Sequence, residues 1–363
     1  MHVPAHPPWE ARTIEDLSDL LIEAGTPLNE AFARIHDAPH RLLAVVDGGR
    51  LLGTVTDANV RRAALTDPTL SSPVTAALPR SAPSVPPSAD DAAVRDLLRS
   101  HRLPAVAVID GDRLVGVRTL GEFPDDLPPA PVAVVMVGGR GERLRPLTDK
   151  VPKPLLRVGG HTIIERIILA LAASGVSQVF LAVNYLAELF QERLGDGAAL
   201  GVRIEYVHDP EDEAVGSAGA LGLLPQPPDV PLIVTNGDLV TTVDFGAMTD
   251  YHRHHGASVT VAGTEHRTYI PYGVLRTTEH HLLSIDEKPE RVDFVNAGMY
   301  VIDPAVLRYI PEATYMGMDV LIADVIADGL PVHVFPVLEQ WFDIGSPEEL
   351  DRVLMAFAVG EEA

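Results

Sequence analysis

The segment VAVVMVGGRGERLRPLT, residues 132–148, decides how this chain folds. Val132 to Val137 form an uninterrupted apolar run, the pattern of a strand covered on both faces within a parallel sheet. Gly138, Gly139 and Gly141 follow, three glycines in four positions. Without side chains the backbone can approach a phosphate closely, and successive amides can converge on its oxygens. The loop lacks the Gly-Lys-[Ser/Thr] of a Walker A loop, and it fails as a dinucleotide fingerprint because Leu144 stands where the third glycine belongs. A tight turn alone would account for the glycines, but not for the cations that come with them. Arg143 offers a planar fork suited to bidentate phosphate contacts, and Lys153, bracketed by Pro152 and Pro154, offers a point charge on a fixed backbone.

Downstream, Ile163, Ile164, Ile167, Ile168 and Leu171 recur at helical spacing, and Val179–Val183 reads as the next buried strand. Strand, loop, helix and strand predict an α/β, doubly wound sheet. Leu232–Thr235 is a further apolar strand ending in Asn236-Gly237-Asp238. Open sheets of this kind bind ligands beyond the carboxyl ends of their strands, so chemistry is expected there.

Upstream, PDDLPPAP at 124–131 places four prolines in eight residues, which neither a helix nor a central strand tolerates. This predicts a linker at 124–131 between a front domain at 1–123 and a larger one at 132–363. The front part contains a duplication: LLAVVDGGRLLGTVTDANV from Leu42 matches AVAVIDGDRLVGVRTLGEF from Ala105, each copy preceded by a helical segment, Leu28–Ile35 and Ala92–Ser100. A hairpin with one short helix cannot cover both of its faces, so two copies are expected to pack together.

The 363 residues suit two domains, and 46% hydrophobic with 22% charged residues is an ordinary globular composition. A net charge of −23 repels nucleic acid and anionic membrane surfaces, so any phosphate site must be local. The chain has no cysteine, which removes disulfides, thiolate metal sites and cysteine nucleophiles. No secretory signal pattern or membrane-length apolar run is visible, and the expected location is cytoplasmic.

Two family resemblances emerge from these residues. The front repeats, about 12–70 and 75–123, resemble a CBS-domain pair, a smaller α+β unit that in its family senses adenine nucleotides and often mediates homodimers. The family pattern Gly-x-x-Thr-x-x-Asp stands here as Gly53, Thr56, Asn59 and as Gly116, Thr119, Glu122. Without the carboxylate, Asn59 can still exchange hydrogen bonds with a ribose, and a module that only packs or dimerises is an equal alternative.

From 132 to 358 the chain resembles nucleoside-diphosphate-sugar pyrophosphorylases, whose signature G-G-x-G-x-R-L-x-P-L-T followed by P-K-P is present. Gly216-Ser217-Ala218-Gly219, Asn236-Gly237-Asp238, Tyr272-Gly273-Val274, Glu287-Lys288-Pro289, Asn296-Ala297-Gly298 and Trp341-Phe342-Asp343-Ile344-Gly345 continue the resemblance in order. Val137, Glu142 and Ser217 depart mildly from the usual alanine, threonine and threonine. The resemblance implies a Rossmann-like, GT-A-like fold with a mixed, mainly parallel sheet. It also implies transfer of a nucleotidyl group from an NTP to a sugar- or cyclitol-1-phosphate, with release of pyrophosphate.

By the same resemblance, Arg143, Lys153 and Asp238 are catalytic, and Asp238 and Asp343 hold Mg²⁺. Gly138, Gly139, Gly141, Glu211, Gly216 and Ser217 bind the nucleotide, while Gly273, Glu287, Lys288 and Asn296 take the sugar phosphate. A carboxylate at Glu211, five positions before Gly216, would accept from guanine N1–H and N2–H₂, which favours GTP. Uridylyl or thymidylyl transfer, or an inactive nucleotide-sensing relative, are the alternatives. His252, His254 and His255 fall on a helix expected to be exposed and His280-His281 in a hairpin turn, with no third-ligand spacing, so they take no part in the mechanism.

Overall fold

The computed structural model describes residues 17–358, apart from 39, 140, 211–214 and 312–313. The front module repeats one unit twice. Strands β1 (Leu21–Glu23), β2 (Leu42–Asp47) and β3 (Arg50–Thr56) form one three-stranded sheet with helices α1 (Leu28–Asp37) and α2 (Asp57–Ala64). Strands β4 (Ser84–Val85), β5 (Ala105–Asp110) and β6 (Arg113–Thr119) form the second, with α3 (Asp91–Ser100). In both, the first pairing is parallel and the second an antiparallel hairpin. The polar residues of the duplicated pattern serve as helix caps. Asn59 Oδ1 accepts from Thr56 N at 3.0 Å, and Glu122 Oε1 accepts from Thr119 N at 2.7 Å. Both complete capping boxes, so these side chains are engaged by their own backbone.

After a short 3-10 turn at Pro124–Asp126, strand β7 (Val132–Met136) begins the larger unit. There follow the two-residue strands β8 (Arg157–Val158) and β9 (His161–Thr162), α4 (Ile163–Ala173), β10 (Gln178–Val183), α5 (Ala187–Leu194), β11 (Arg203–His208) and the single turn α6 (Gly216–Gly219). Next come β12 (Leu232–Asn236), β13 (Leu239–Thr241), α7 (Phe245–His255), β14 (Val259–Tyr269), β15 (Val274–Thr278), β16 (His281–Asp286) and β17 (Glu290–Ile302). The last elements are α8 (Met318–Ala327), β18 (Val332–Pro336), β19 (Trp341–Asp343) and α9 (Pro347–Ala358).

Seven strands make the central sheet in the order β11-β10-β7-β12-β17-β14-β18. All neighbouring pairs are parallel except the two made by β17, so the sheet is mixed and mainly parallel, as the family resemblance implies. Alternation along β7 sends Ala133 and Val135 into a cluster with Ile164, Ile168 and Ile233, while Val134 joins Phe180, Val234 and Leu321 on the opposite face. Both faces are thus dry, which is why the run could be uniformly apolar; each fully buried valine contributes roughly 1.5–3 kcal/mol relative to exposure. Helix α4 starts at a capping box in which Glu165 N donates to Thr162 Oγ1 at 3.3 Å and Thr162 N to Glu165 Oε2 at 2.7 Å. Past the sheet, the ends of β14 and β17 continue as an exposed ladder that carries the β15–β16 hairpin.

Helix α7 differs from its expected exposure. His252 is buried and its Nδ1 lies 2.9 Å from Thr260 Oγ1, because the helix packs its second face against β14. Burial holds the His252 pKa down, at about 4. Among the described residues no helix is long and apolar enough to cross a membrane.

Candidate active site

The strands β7 and β12 run parallel, Asn236 opposite Met136, so their carboxyl ends and the loops beyond them emerge side by side. Gly237 N donates to Met136 O at 2.8 Å across this junction. A Cβ at 237 would collide with Val137 Cγ1 and sit 3.0 Å from Met136 O. Glycine is therefore required by close approach, and it delivers Asp238 beside the loop that starts at Gly138. Within that loop Gly141 is left-handed at φ 60°, its carbonyl accepts from Thr148 Oγ1 at 2.7 Å, and its Cα faces Thr148 and Lys153.

Asp238 and Asp343 meet because β13 pairs antiparallel with β19, Leu239 opposite Asp343 and Thr241 opposite Trp341. Between the two carboxylates lies the Lys153 ammonium, 2.6 Å from Asp238 Oδ2 and 3.3 Å from Asp343 Oδ1. These distances put the two carboxylate oxygens no more than about 5.9 Å apart. The Lys153 side chain is only 7% exposed, the aspartates 36% and 47%. A nearly buried lysine is tolerated here because it is paired twice.

A cavity of about 560 Å³ opens over this group. Its wall brings together Gly138, Gly139, Gly141, Arg143, Lys153, Gly216, Ser217 and Asp238, eight of the residues singled out in the sequence. Arg143 is exposed and its Nη1 lies 3.1 Å from where a Cβ on Gly345 would stand, so its guanidinium overlies the turn after Asp343. Among the described residues it has no carboxylate partner, which leaves its fork available to a ligand. Ser217 Oγ accepts from Met318 N at 2.9 Å and ties α6 to α8.

The sugar-side residues stand apart from this wall. Gly273 and Glu287 face each other at the base of the exposed hairpin, Glu287 Oε2 lying 3.0 Å from where a Cβ on Gly273 would stand. Lys288, left-handed at φ 48°, donates its amide to Tyr272 O at 3.2 Å. Asn296 is exposed, with Nδ2 donating to Tyr300 Oη at 2.7 Å and Oδ1 accepting from Gly298 N at 2.9 Å. Gly298 in turn packs on Asn236, which lines the cavity, so the Asn296 turn adjoins the site through one neighbour. Glu211 lies outside the described residues.

Three contributors were not among the site residues expected from the sequence, where Asp209 reads as part of a solvated acidic loop. Asn184 and Asp209 line the cavity beside the glycine loop, where a Cβ on Gly138 would stand 3.4 Å from Asn184 Cβ, with Asn184 Nδ2 donating to Asp209 Oδ2 at 3.0 Å. Their signal was positional, since each follows the carboxyl end of a strand of the central sheet. Glu349 Oε2 accepts from Gly345 N at 2.6 Å and braces the turn after Asp343. The Ser-x-x-Glu spacing of Ser346 and Glu349 at a helix start was its visible signal; Glu349 N donates to Ser346 Oγ at 3.2 Å, and the carboxylate reaches back one residue further, to Gly345.

Comparison with known proteins agrees with this geometry. The family model for nucleotidyl transferases matches residues 132–358, and that for the CBS domain matches residues 14–66. A mannose-1-phosphate guanylyltransferase of Mycobacterium tuberculosis is 32% identical over 226 residues, covering 61% of this chain and 62% of the relative. A mannose-1-phosphate guanyltransferase of Candida albicans is 34% identical over 227 residues, covering 60% and 61%. The match thus spans about three-fifths of the length of these relatives. A crystal structure of a putative glucose-1-phosphate thymidylyltransferase from Bacillus anthracis shares the fold at a TM-score of 0.50 and 22% identity, covering 62% of this chain and 95% of that one. With the glycine loop, Lys153 and the two aspartates gathered beyond the carboxyl ends of the central strands, and the family match spanning most of its length, this chain belongs to the nucleotidyl transferase family and carries a CBS domain at its front.

Proposed function

We propose that this chain is a guanylyltransferase that joins GTP to a sugar-1-phosphate, forming a GDP-sugar and pyrophosphate. The observation that carries the reading is the buried Lys153 ammonium between Asp238 and Asp343, at the edge of a cavity walled by the glycine loop and Arg143.

In this reaction an oxygen of the sugar phosphate attacks the α-phosphorus of GTP. The bond from that phosphorus to the oxygen bridging toward the β-phosphate breaks, and pyrophosphate leaves with the electron pair. No nucleophilic side chain is needed, so the protein's part is placement and charge. The amides around Gly138, Gly139 and Gly141 would receive the triphosphate oxygens. Arg143 would stabilise charge growing on the α-phosphoryl group and on departing pyrophosphate, and Lys153 would hold a phosphate at the point of transfer. Gly216 and Ser217 would bound the base, with Glu211, Asp209 and Asn184 near its polar edge. Gly273, Glu287, Lys288 and Asn296 would take the sugar phosphate.

Asp238 and Asp343 suit Mg²⁺, because they already converge on one cation and stay partly open to the cavity. A hard divalent ion takes one or two carboxylates and completes its shell with water and phosphate oxygens. When bound, it would neutralise charge on the reacting phosphates.

The guanine preference is supported by the names of the relatives, which also point to mannose-1-phosphate as the first sugar to try. We assign the catalytic unit to 132–363, the linker to 124–131 and two CBS repeats to 1–123. A cytoplasmic homodimer completes the proposal. Because Asn59 and Glu122 are engaged as caps, a packing role for the repeats is favoured over an adenine-nucleotide sensor.

The test is a panel of GTP, UTP, dTTP and ATP against mannose-1-phosphate and glucose-1-phosphate, read by pyrophosphate release with Mg²⁺. Turnover is expected with GTP. Turnover with UTP or dTTP but not GTP would reassign the base, and silence in every well would favour a retired, nucleotide-sensing relative.

A further inference from the structure

Among the described residues, the first front repeat touches the catalytic unit at two ion pairs, and both fall on the chain segments that carry the aspartate pair. On one side, Asp343 ends β19, and the segment entering β19 contains Glu339. Arg61 of α2 grips that segment: Nη2 donates to Glu339 Oε1 at 2.6 Å, Nη1 to Glu339 Oε2 at 3.1 Å and to Pro336 O at 2.7 Å. Its Nε donates to Asp57 at 2.7 Å, and its guanidinium lies 4.0 Å from the Phe335 ring centroid. Arg61 is 1% exposed and Glu339 6%. On the other side, Asp238 precedes β13, and the segment leaving β13 reaches Asp244, which caps α7 through Ala247 N at 2.9 Å and pairs with Arg41. The hydrophobic clusters interlock across the same boundary, since Leu338 packs into the front core and Ala58 into the catalytic core.

We propose that Arg61 and Arg41 are positioning residues that hold the β13–β19 ribbon by its far ends and so set the separation of Asp238 and Asp343 at its near end. A ribbon of two three-residue strands has little stability of its own. Asp343 lies four residues past Glu339, about 13 Å along an extended chain, so a shift at the grip is carried to the carboxylate. By reciprocity, cation binding at the aspartates and docking of the first repeat strengthen each other. The inference rests on the reading of Asp238 and Asp343 as cation ligands.

The test measures Mn²⁺ binding to the full-length protein by electron paramagnetic resonance, together with the Mg²⁺ dependence of pyrophosphate release, in Arg61→Met, Arg61→Lys, Arg41→Ala and Asp238→Asn. Charge alone predicts tighter Mn²⁺ binding when an arginine is removed, because the site becomes more negative. The grip predicts the opposite sign: Mn²⁺ binding at least tenfold weaker in Arg61→Met, intermediate in Arg61→Lys, and at least threefold weaker in Arg41→Ala. Should the Arg61 variants fail to fold, the less buried Arg41→Ala decides. Folded arginine variants binding Mn²⁺ within twofold of wild type, while Asp238→Asn does not, would overturn the grip and leave the cation reading intact. Unchanged binding in Asp238→Asn would remove both.

Discussion

Gly237→Ala is a sharp steric test of how the sheet edge builds the site. A Cβ at 237 runs into Val137 Cγ1 and stands 3.0 Å from Met136 O, where carbon contacts normally rest at roughly 3.5–4.0 Å. Val137 cannot turn aside easily, being buried and β-branched, so relief must come from moving the strand ends apart by about 1 Å. Overpacking of this kind costs about 2–3 kcal/mol, and a unit of this size loses about 2–4 °C of Tm per kcal/mol, which gives a fall of about 4–12 °C. The displaced chain leads straight into Gly138, and a misplacement near 1 Å lowers turnover by up to about 100-fold. Differential scanning fluorimetry and pyrophosphate release on the same preparation read both numbers. A variant within 2 °C and within twofold of wild-type kcat/KM would refute the reasoning.

Gly139→Ala is the matched contrast, because nothing stands within 4 Å of a Cβ there. Its Tm is expected to hold within about 2 °C, while KM for GTP rises about tenfold or more if the loop backbone meets the triphosphate; an unchanged KM would place the phosphates elsewhere. Arg143→Ala, on an exposed side chain, should leave the melting curve in place and lower kcat by about 100-fold or more, as loss of one transition-state contact does. His252 yields a pH prediction. Its folded pKa of about 4 lies below the ordinary 6.5, so the unfolded chain binds the extra proton and stability is lost as pH falls from about 6.5 toward 4. The neighbouring Asp250 carboxyl, raised to about 6 by burial, works in the opposite direction but is common to both proteins when wild type is compared with His252→Asn. The variant should therefore show a shallower decline in Tm between pH 6.5 and 4.5, and parallel curves would contradict the assignment.

The parts legible in the sequence were those governed by local rules. The run at 132–137 could only be a strand dry on both faces, and Ala133 and Val134 do face opposite cores. The gathering of Lys153, Asp238 and Asp343 was implied by family resemblance, since pairing of β13 with β19 leaves little periodic trace in three-residue strands. What stayed hidden depended on partners distant in sequence. His252 looked exposed because its helix is polar, and its burial follows from Thr260 on the neighbouring strand. The Arg61–Glu339 pair spans 278 positions, and nothing in either segment announces the other. For Asn59 the sequence left a ribose contact and a packing role equally open; the Thr-x-x-Asn spacing also writes a capping box, and in the fold Asn59 Oδ1 accepts from Thr56.

The Lys153–Asp238–Asp343 cluster is the proposed seat of nucleotidyl transfer. The direct measurement is the rate of pyrophosphate production from GTP and mannose-1-phosphate by wild type and by Asp238→Asn, with both shown to melt at the same temperature. A fall of about a thousandfold in the folded variant is predicted, whereas a variant that keeps a tenth or more of the wild-type rate would contradict the site.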